Sequence, residues 1–452
     1  MAGGTWDAQN KARPGIYFRF RSAGAAPVSQ GSRGTAAIAK ALSWGPVGEV
    51  VSLAAGEDPA PAVGYALTEP KALFLRELFK GTNVTGGPTK VLLYRLPAEG
   101  AAPASASLAG EDGETALTVT ARYPGVRGND IAVRIDAGVD EPEVFTVTTL
   151  VDGRAVDVQQ AGAADALADN GWVRFSGPGQ LAASAGVSLA GGADGTASNA
   201  AYAEAITALE PYSFDILAYD GTDSTVRQAM AAFVKRLAEQ EGRHSQLVAS
   251  GAAGMDSRFV IDVNGGVVLE DGTELAPNET VWWLAGAQAG AQYYQSLTCA
   301  AYPGAADVAE RKSNSQIEEG IRAGSIVLSR EFGQVRVETD INTLTTFTPE
   351  LGKVFRKNTT MRVCSALAND LYREFSLNYL GRVKNNGEGR GLFKGAVLGY
   401  LKAMYDKGAL RLRPTGDDVA VEPGDEPDSI VIAVALAIGD AVEKVYLTVT
   451  VN

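Results

Sequence analysis

The stretch that most constrains this chain is Ile430–Asn452, IVIAVALAIGDAVEKVYLTVTVN: an apolar strand, a break at Gly439-Asp440, and a second strand. In the second strand Val445, Leu447, Val449 and Val451 share one face, while Lys444, Tyr446, Thr448 and Thr450 share the other. A period of two in β-branched residues is the pattern of a half-buried strand. A terminal strand frays unless an acceptor edge ties it down, in its own domain or in another subunit. The other end poses the same question. In Pro14-Gly15-Ile16-Tyr17-Phe18-Arg19-Phe20-Arg21, the residues Ile16, Phe18 and Phe20 alternate with Tyr17, Arg19 and Arg21. A Gly-rich leader without a core of its own, Met1–Ala12, precedes it, and the loose Ser22–Gly34 follows. Two isolated terminal strands fit a subunit that holds its neighbours by strand addition. Pairing of both strands inside the same chain is the alternative that pattern alone leaves open.

A chain of 452 residues is too long for one core and predicts several domains. Two cysteines, Cys299 and Cys364, without CxxC spacing argue against a disulfide framework or a zinc site. Both fall in segments that read as helical and apolar, which predicts buried free thiols. Met1-Ala-Gly-Gly lacks the basic and apolar regions of a signal peptide. The most apolar run, Val281–Ala291, is about half the length of a membrane span. Folding in a cytoplasm, without membrane insertion, is the expectation.

The net charge of −13 is unevenly spread. Ala101–Ala200 holds thirteen acidic residues against five arginines, whereas Leu351–Arg413 holds thirteen lysines and arginines against Asp370, Glu374, Glu388 and Asp406. An acidic loop, Asp417 to Asp428, follows directly. A basic block in an acidic protein suits an acidic protein partner, because charge complementarity sets register and on-rate. A solvated face ranks second. Nucleic acid ranks last, since the block has no recognisable nucleic-acid motif and the rest of the chain repels phosphate.

Taken in order, Gly34–Leu42 and Glu49–Leu53 read as strands. Thr68 and Pro70 open a helix with Leu73, Phe74, Leu78 and Phe79 on its apolar side, and Lys90–Arg95 is a strand. The run Ala98–Ser107 is linker-like. Beyond it, Ala116–Arg122, Ile131–Asp136, Val144–Leu150 and Trp172–Ser176 are short strands separated by turns, a small β domain inserted into an α/β one. The α/β pattern resumes with a helix Ser198–Glu210 and an apolar strand Phe214–Tyr219. A helix capped by Asp223 and ended by Gly242 leads to strands at Gln246–Ser250 and Phe259–Val263. A helix from Pro277 carries the small residues Ala285-Gly-Ala-Gln-Ala-Gly-Ala291, and a hairpin turns at Phe332-Gly333. A basic helix, Asn358–Leu380, is followed by the glycine-rich Lys384–Gly391, read as a flexible loop, and by a helix Leu392–Lys407 exposing Lys394, Lys402 and Lys407. The fold class is therefore multi-domain α/β: an α/β core (34–97 and 198–310), an inserted small β domain (98–197), an α+β C-terminal domain (311–440), and extended strand arms at 1–33 and 441–452.

No enzyme signal emerges. The single histidine, His244, follows a helix with no second His or Cys nearby, so it makes neither a metal site nor a triad and reads as a loop residue. Gly387-x-Gly389-x-Gly391 lacks the spacing and preceding strand of a phosphate loop. No carboxylate pair stands in an acid/base context, and no cofactor is expected.

Many short pieces, in one order over nearly the whole chain, resemble the sheath proteins of contractile phage tails, especially those of Gram-positive phages, defective prophages and contractile bacteriocins. They include Arg13-Pro-Gly-Ile-Tyr17, Trp44-Gly-Pro46, Tyr123-Pro-Gly-Val-Arg-Gly-Asn-Asp-Ile131 and Ala285–Ala291. Further matches are Tyr302-Pro-Gly-Ala305, Asp340-Ile-Asn-Thr-Leu-Thr345, Tyr379-Leu-Gly-Arg-Val-Lys-Asn-Asn386 and Ala441-Val-Glu-Lys-Val-Tyr446. The resemblance implies a structural subunit that polymerises helically around a tail tube inside a host cytoplasm and contracts to drive the tube through an envelope. Its implied partners are other copies of itself, the tube protein, and baseplate and terminator proteins, with no nucleic acid. It implies an inner, tube-facing C-terminal domain and an outer β insertion. Ile16, Tyr17, Phe18, Arg19 and Phe20 would form one inter-subunit arm, and Val445, Tyr446, Leu447, Val449 and Val451 the other. Arg382, Lys384, Arg390, Lys394, Lys402 and Lys407 would form the tube-facing basic surface. The competing reading is a carbohydrate-binding surface or virion decoration protein, with Tyr123, Phe145, Trp172 and Phe175 as its aromatic platform.

Overall fold

The structure, a computed structural model, describes residues 2–5, 9, 12–19, 33–110, 113–138, 143–177 and 179–450. Among these residues lie eight α-helices: α1 (Ala60–Val63), α2 (Leu73–Phe79), α3 (Asn199–Leu209), α4 (Ser224–Glu241), α5 (Pro277–Gly290), α6 (Asn314–Arg322), α7 (Asn358–Asn378) and α8 (Gly387–Asp406). The chain divides into two compact units. One comprises Met1–Ile38, Phe74–Leu92 and Tyr212–Asn452; the other comprises Ala39–Leu73 and Leu93–Pro211.

The first unit is built on a mainly parallel sheet. Val260–Asn264, Gln246–Ser250, Ile216–Tyr219 and Thr35–Lys40 pair side by side in parallel, and Ser325–Glu331 extends the sheet in parallel before turning back antiparallel as Gln334–Val337. These strands are near-continuous apolar runs, with Leu247, Val248 and Ala249 fully buried, as a sheet covered on both faces requires. Local chemistry sets the helix ends. The Asp223 carboxylate accepts the Thr225 and Val226 amides at 2.8 and 2.9 Å to start α4, and Gly242, at φ +72°, ends it. The small residues of α5 let it approach α2: a Cβ on Gly286 would lie 1.8 Å from the Leu78 carbonyl oxygen. A second core joins α7 and α8 to the antiparallel hairpin Val419–Pro423/Ile430–Val434, around Val363, Phe375, Phe393, Val397, Leu401 and Met404.

The second unit holds a β-sandwich. One sheet runs Arg154–Ala161, Phe145–Val151, Ile131–Ala137, Ser184–Ser188; the other runs Val173–Ser176, Thr115–Ala121, Ser105–Ala109, with every pairing antiparallel. Leu117, Val119, Ile131, Val133, Val147 and Val173 fill the space between them.

Three sequence expectations need correction. The linker-like Ala98–Ser107 is paired backbone: Glu99 bridges Thr196, Ala102 bridges Ala193, and a strand begins at Ser105. Its small side chains serve close packing, for a Cβ on Gly128 would lie 2.9 Å from the Ala104 and Ala121 methyls. The strands Arg154–Ala161 and Ser184–Ser188 were not anticipated; both are sheet edges whose side chains are mostly exposed, so they carry no apolar run. The glycine-rich segment Gly387–Gly391 is the first turn of α8, not a loop. The Asn386 side chain accepts the Gly389 amide at 2.8 Å, and a Cβ on Gly389 would lie 1.9 Å from the Lys384 carbonyl oxygen. Glycine here serves close approach.

Candidate assembly site

The two chain ends meet the body differently. After the hairpin strand Ile430–Val434, Ile438 bridges Leu410 and the Gly439 amide donates to the Ala409 carbonyl at 2.8 Å. Glu443 then turns its carboxylate inward. Oε1 accepts the Thr298 hydroxyl at 2.8 Å, and Oε2 accepts Lys357 Nζ and, at 3.4 Å, the Thr339 hydroxyl. Beyond it nothing is covered: Val445, Tyr446, Leu447 and Val449 are 81, 90, 82 and 71% exposed, and no strand pairing is made through Thr450. Val451 lies outside the described residues. A strand-patterned run with its large apolar side chains in water is an exposed apolar patch of the kind that marks an interaction surface.

At the other end, Gly15–Phe18 pairs in parallel with Ala2–Thr5 of the same chain. The leader therefore contributes a strand where none was expected. Glycine permits it, because a Cβ on Gly4 would lie 2.5 Å from the Gln240 carbonyl group of α4. Ile16 and Phe18 are half-buried against the α7–α8 core, and the Phe18 ring meets His244 edge-on, 6.2 Å between centroids. The Tyr17 hydroxyl donates to the Arg13 carbonyl at 2.8 Å and Arg19 lies 3.6 Å from Glu350. Phe20 lies outside the described residues.

The basic block is only partly a surface. Arg382, Lys384, Lys402 and Lys407 are exposed; Lys394 is half-buried, as is Arg390, whose guanidinium donates to the Asn385 side chain at 2.9 Å. Other cations of the block turn inward: Lys357 to Glu443, and Arg362, fully buried, to Asp340 at 2.6 Å.

This last pair centres a polar network that the sequence reading missed. Asp340 accepts from Arg362, the Leu297 amide (3.0 Å), Gln288 Nε2 (2.7 Å) and Asn358 Nδ2 (2.9 Å), while Arg362 also donates to Gln288 Oε1 (2.5 Å) and the Gln295 carbonyl (2.6 Å). Burial alone would push the Asp340 carboxyl up; Arg362 and the other donors outweigh it and hold the group below its ordinary range. The available signal was an arginine in the apolar stretch Met361-Arg362-Val363-Cys364.

His244 is in a loop, as expected, but it is also buried, with its ring against Phe18 and Phe259. Burial, and secondarily the Arg258 cation, push the imidazole down to about 3. Cys364 is the buried thiol anticipated, pushed up to about 12 by burial, whereas Cys299 is exposed in a tight turn at φ +62°, not in a helix. Tyr123, Phe145, Trp172 and Phe175 pack into the sandwich core, with Trp172 and Tyr123 against Trp44 at 5.0 and 5.3 Å, so they form no open platform for a sugar. Among the described residues, no cluster of three or more His, Cys, Asp or Glu is placed to hold a metal, and no helix is long and apolar enough to cross a membrane.

The chain has an α/β body, a β-sandwich and an exposed C-terminal run, and by its similarity to known proteins it belongs to the phage tail sheath protein family. Sequence profiles of that family match in order. They are the Gp18 domain III N-terminal region (residues 33–96), the β-sandwich domain (98–194), the central domain (195–343) and the C-terminal domain (350–452). The chain is 36% identical to the phage-like element PBSX protein XkdK of Bacillus subtilis, over all of both chains. It is also similar to the crystal structure of a sheath tail protein from Desulfitobacterium hafniense: 36% identity, 96% of this chain and 99% of that one, TM-score 0.83. The helical sheath of the anti-feeding prophage in its contracted state shares the fold alone, at 15% identity, over 98% of this chain and all of that one, TM-score 0.57.

Proposed function

We propose that this chain is the sheath subunit of a contractile tail or tail-like particle, polymerising around a tail tube and contracting to drive it through an envelope. One observation supports the strand-exchange part of this reading: Val445, Tyr446, Leu447 and Val449, a strand by pattern, are exposed and make no strand pairing with the described residues. Donated to a sheet edge of a neighbouring copy, the run would form about four to six backbone hydrogen bonds at roughly 0.5–1.5 kcal/mol net each. Burying Val445, Leu447 and Val449 would add roughly 1.5–3 kcal/mol per side chain. A single link is modest after ordering costs, but several links per subunit make the lattice cooperative. The segment Ile16–Phe20 is the second arm. In the free subunit its described part pairs with Ala2–Thr5 of the same arm in a parallel ribbon of four residue pairs, which lies against α4 at Gly4 and against the α7–α8 core at Ile16 and Phe18. A two-stranded ribbon is marginal by itself, so a neighbour's strand can replace the pairing at low cost. The β-sandwich (98–197) faces outward. The C-terminal domain (311–440) faces the tube, on which Arg382, Lys384, Lys402 and Lys407, together with the half-buried Arg390 and Lys394, hold an acidic surface.

Electron microscopy of the full chain beside variants lacking residues 1–22 or 444–452 tests this. Rings or tubes from the full chain that are lost in either truncation are expected. Tubes of unchanged yield without residues 444–452 would overturn strand donation by the C-terminal arm.

A further inference from the structure

The described contacts of the C-terminal arm with its own body end at one side chain. Glu443 is the last described residue with a hydrogen bond or ion pair to the body, and residues 444–450 are exposed. Its carboxylate is held from three directions: by Thr298, by Thr339, and by Lys357 in the turn that opens α7. The Thr298 hydroxyl that donates to Glu443 also accepts the Asp340 amide at 3.0 Å, so the clamp is continuous with the buried Asp340–Arg362 pair. The N-terminal arm, besides its contacts on α4 and on the α7–α8 core, ends next to the same network. Arg33 donates to the Ala291 and Gln288 carbonyls at 3.1 and 3.4 Å and pairs with Asp215 at 3.4 Å. The Gln288 side chain in turn bonds Asp340 and Arg362. Glu443 and Arg33 thus both touch the surroundings of one buried polar cluster, Glu443 through Thr298 and Arg33 through the Gln288 and Ala291 carbonyls.

We infer that Glu443 is a positioning residue for the C-terminal arm: clamped by Lys357 and Thr298 to the Asp340–Arg362 network, it fixes where the arm leaves the subunit and in which direction. The inference rests on the strand-donation reading above and adds to it the device that aims the strand. An arm free to swing from Gly439 would search a large volume before meeting an acceptor edge. An arm rooted at Glu443 begins already pointed, and less orientational entropy is lost on docking. The same root keeps the arm attached at a constant place as subunits move past one another.

The test uses the full chain with Cys299→Ser, spin-labelled at Val445→Cys and Lys407→Cys, and reads the distance distribution between the labels. A narrow distribution is expected with Glu443 intact, and its width should at least double in Glu443→Ala. Thr298→Val should broaden it less, and the exchanged pair Glu443→Lys with Lys357→Glu should restore much of the narrow form. Polymer yield measured by sedimentation should fall at least tenfold in Glu443→Ala and recover in the exchanged pair, while the melting temperature of the free subunit stays within about two degrees. An unchanged width in Glu443→Ala, or a broadened width that the exchanged pair does not narrow, would overturn the inference. Its failure is separable from failure of the strand-donation reading: loss of polymer on deletion of 444–452 with an unchanged Glu443→Ala sinks only the positioning role. Polymer that survives the deletion sinks strand donation itself.

Discussion

Replacing Asp340 by asparagine isolates the charge in the buried network. The carboxylate is 1% exposed and serves four donors, one of them the fully buried Arg362 guanidinium at 2.6 Å. Asparagine keeps the shape but turns an NH2 group toward donors and leaves Arg362 without its counter-ion. Removing one partner of a buried pair costs about 3–5 kcal/mol, far more than an exposed pair of the same geometry. Because the chain has two units, global unfolding is a poor reporter, and native-state hydrogen exchange read by mass spectrometry is the better assay. Exchange of α5 and α7 amides should accelerate by about 140- to 3,700-fold at constant pH, a factor of ten for each 1.4 kcal/mol, while peptides of the sandwich stay unchanged. Arg362→Met should cost a similar amount, and the double variant should cost about as much as either single one, since the pair acts as a unit. The sign with pH follows from the carboxyl being held below its unfolded value: its contribution is complete above about pH 4 and is lost only as pH falls through the lower folded value. The gap between wild type and Asp340→Asn should therefore be flat from pH 5 to 8. Exchange of α7 within about fivefold of wild type would refute the claim that the carboxylate holds the buried cation.

Three further outcomes are expected. Gly286→Ala should destabilise the first unit by about 1–3 kcal/mol despite alanine's better helix propensity, because its Cβ would meet the Leu78 carbonyl oxygen; Gly395→Ala in α8, whose Cβ meets nothing within 4 Å, should stabilise by up to about 1 kcal/mol, and paired thermal melts read both signs. Arg127→Lys should loosen the sandwich by about 2 kcal/mol, measured as thermolysin susceptibility, because lysine cannot reproduce the two-pronged bond to Asp152 (2.9 and 2.7 Å), the bond to the Gly64 carbonyl (2.8 Å) and the stacking on Tyr65. His244 stays neutral in the fold down to about pH 3, so the unfolded chain binds its proton first and stability falls as pH drops below about 6.5. Between pH 7 and 5 wild type should lose about 2 kcal/mol more than His244→Phe in urea titrations of the α7–α8 region.

Where a segment's own chemistry decided its structure, the sequence was sufficient. The strand at Gln246–Ser250, the Asp223 cap, the Gly242 stop and the hairpin at Phe332-Gly333 all form as their patterns predict, because each rests on periodicity or on a local backbone requirement. Where packing against a distant segment decided, pattern misled. Ala98–Ser107 has the composition of a linker, yet Ala104 is fully buried where Gly128 leaves it room. Gly387–Gly391 has the composition of a loop, yet a side-chain cap and one close carbonyl make it a helix. The basic block shows the limit for function. A count of charges finds thirteen cations, but it takes coordinates to learn that Arg362 is spent on Asp340 and Lys357 on Glu443.

The ends of the chain show why pattern alone left their pairing open. Alternation is the same in Ile16–Phe20 and Val445–Val451; what differs in the structure is that Gly15–Phe18 finds a partner in Ala2–Thr5, whereas 445–450 pairs with none of the described residues. Gly4 lets the N-terminal ribbon sit on α4, with the Phe18 ring edge-on to His244, so this end is accommodated within its own chain. The C-terminal run has its last anchor among the described residues at Glu443 and leaves four large side chains in water, an exposure of several kcal/mol that a second molecule would cover on the strand-donation reading. On the strand-donation reading this asymmetry orders assembly. The C-terminal strand docks first because it has nothing to give up, and the N-terminal strand exchanges second because it must leave a ribbon of four residue pairs. Deleting residues 444–452 should then abolish nucleation, whereas deleting 1–22 should permit short oligomers that fail to extend. Equal defects from the two deletions would contradict that order.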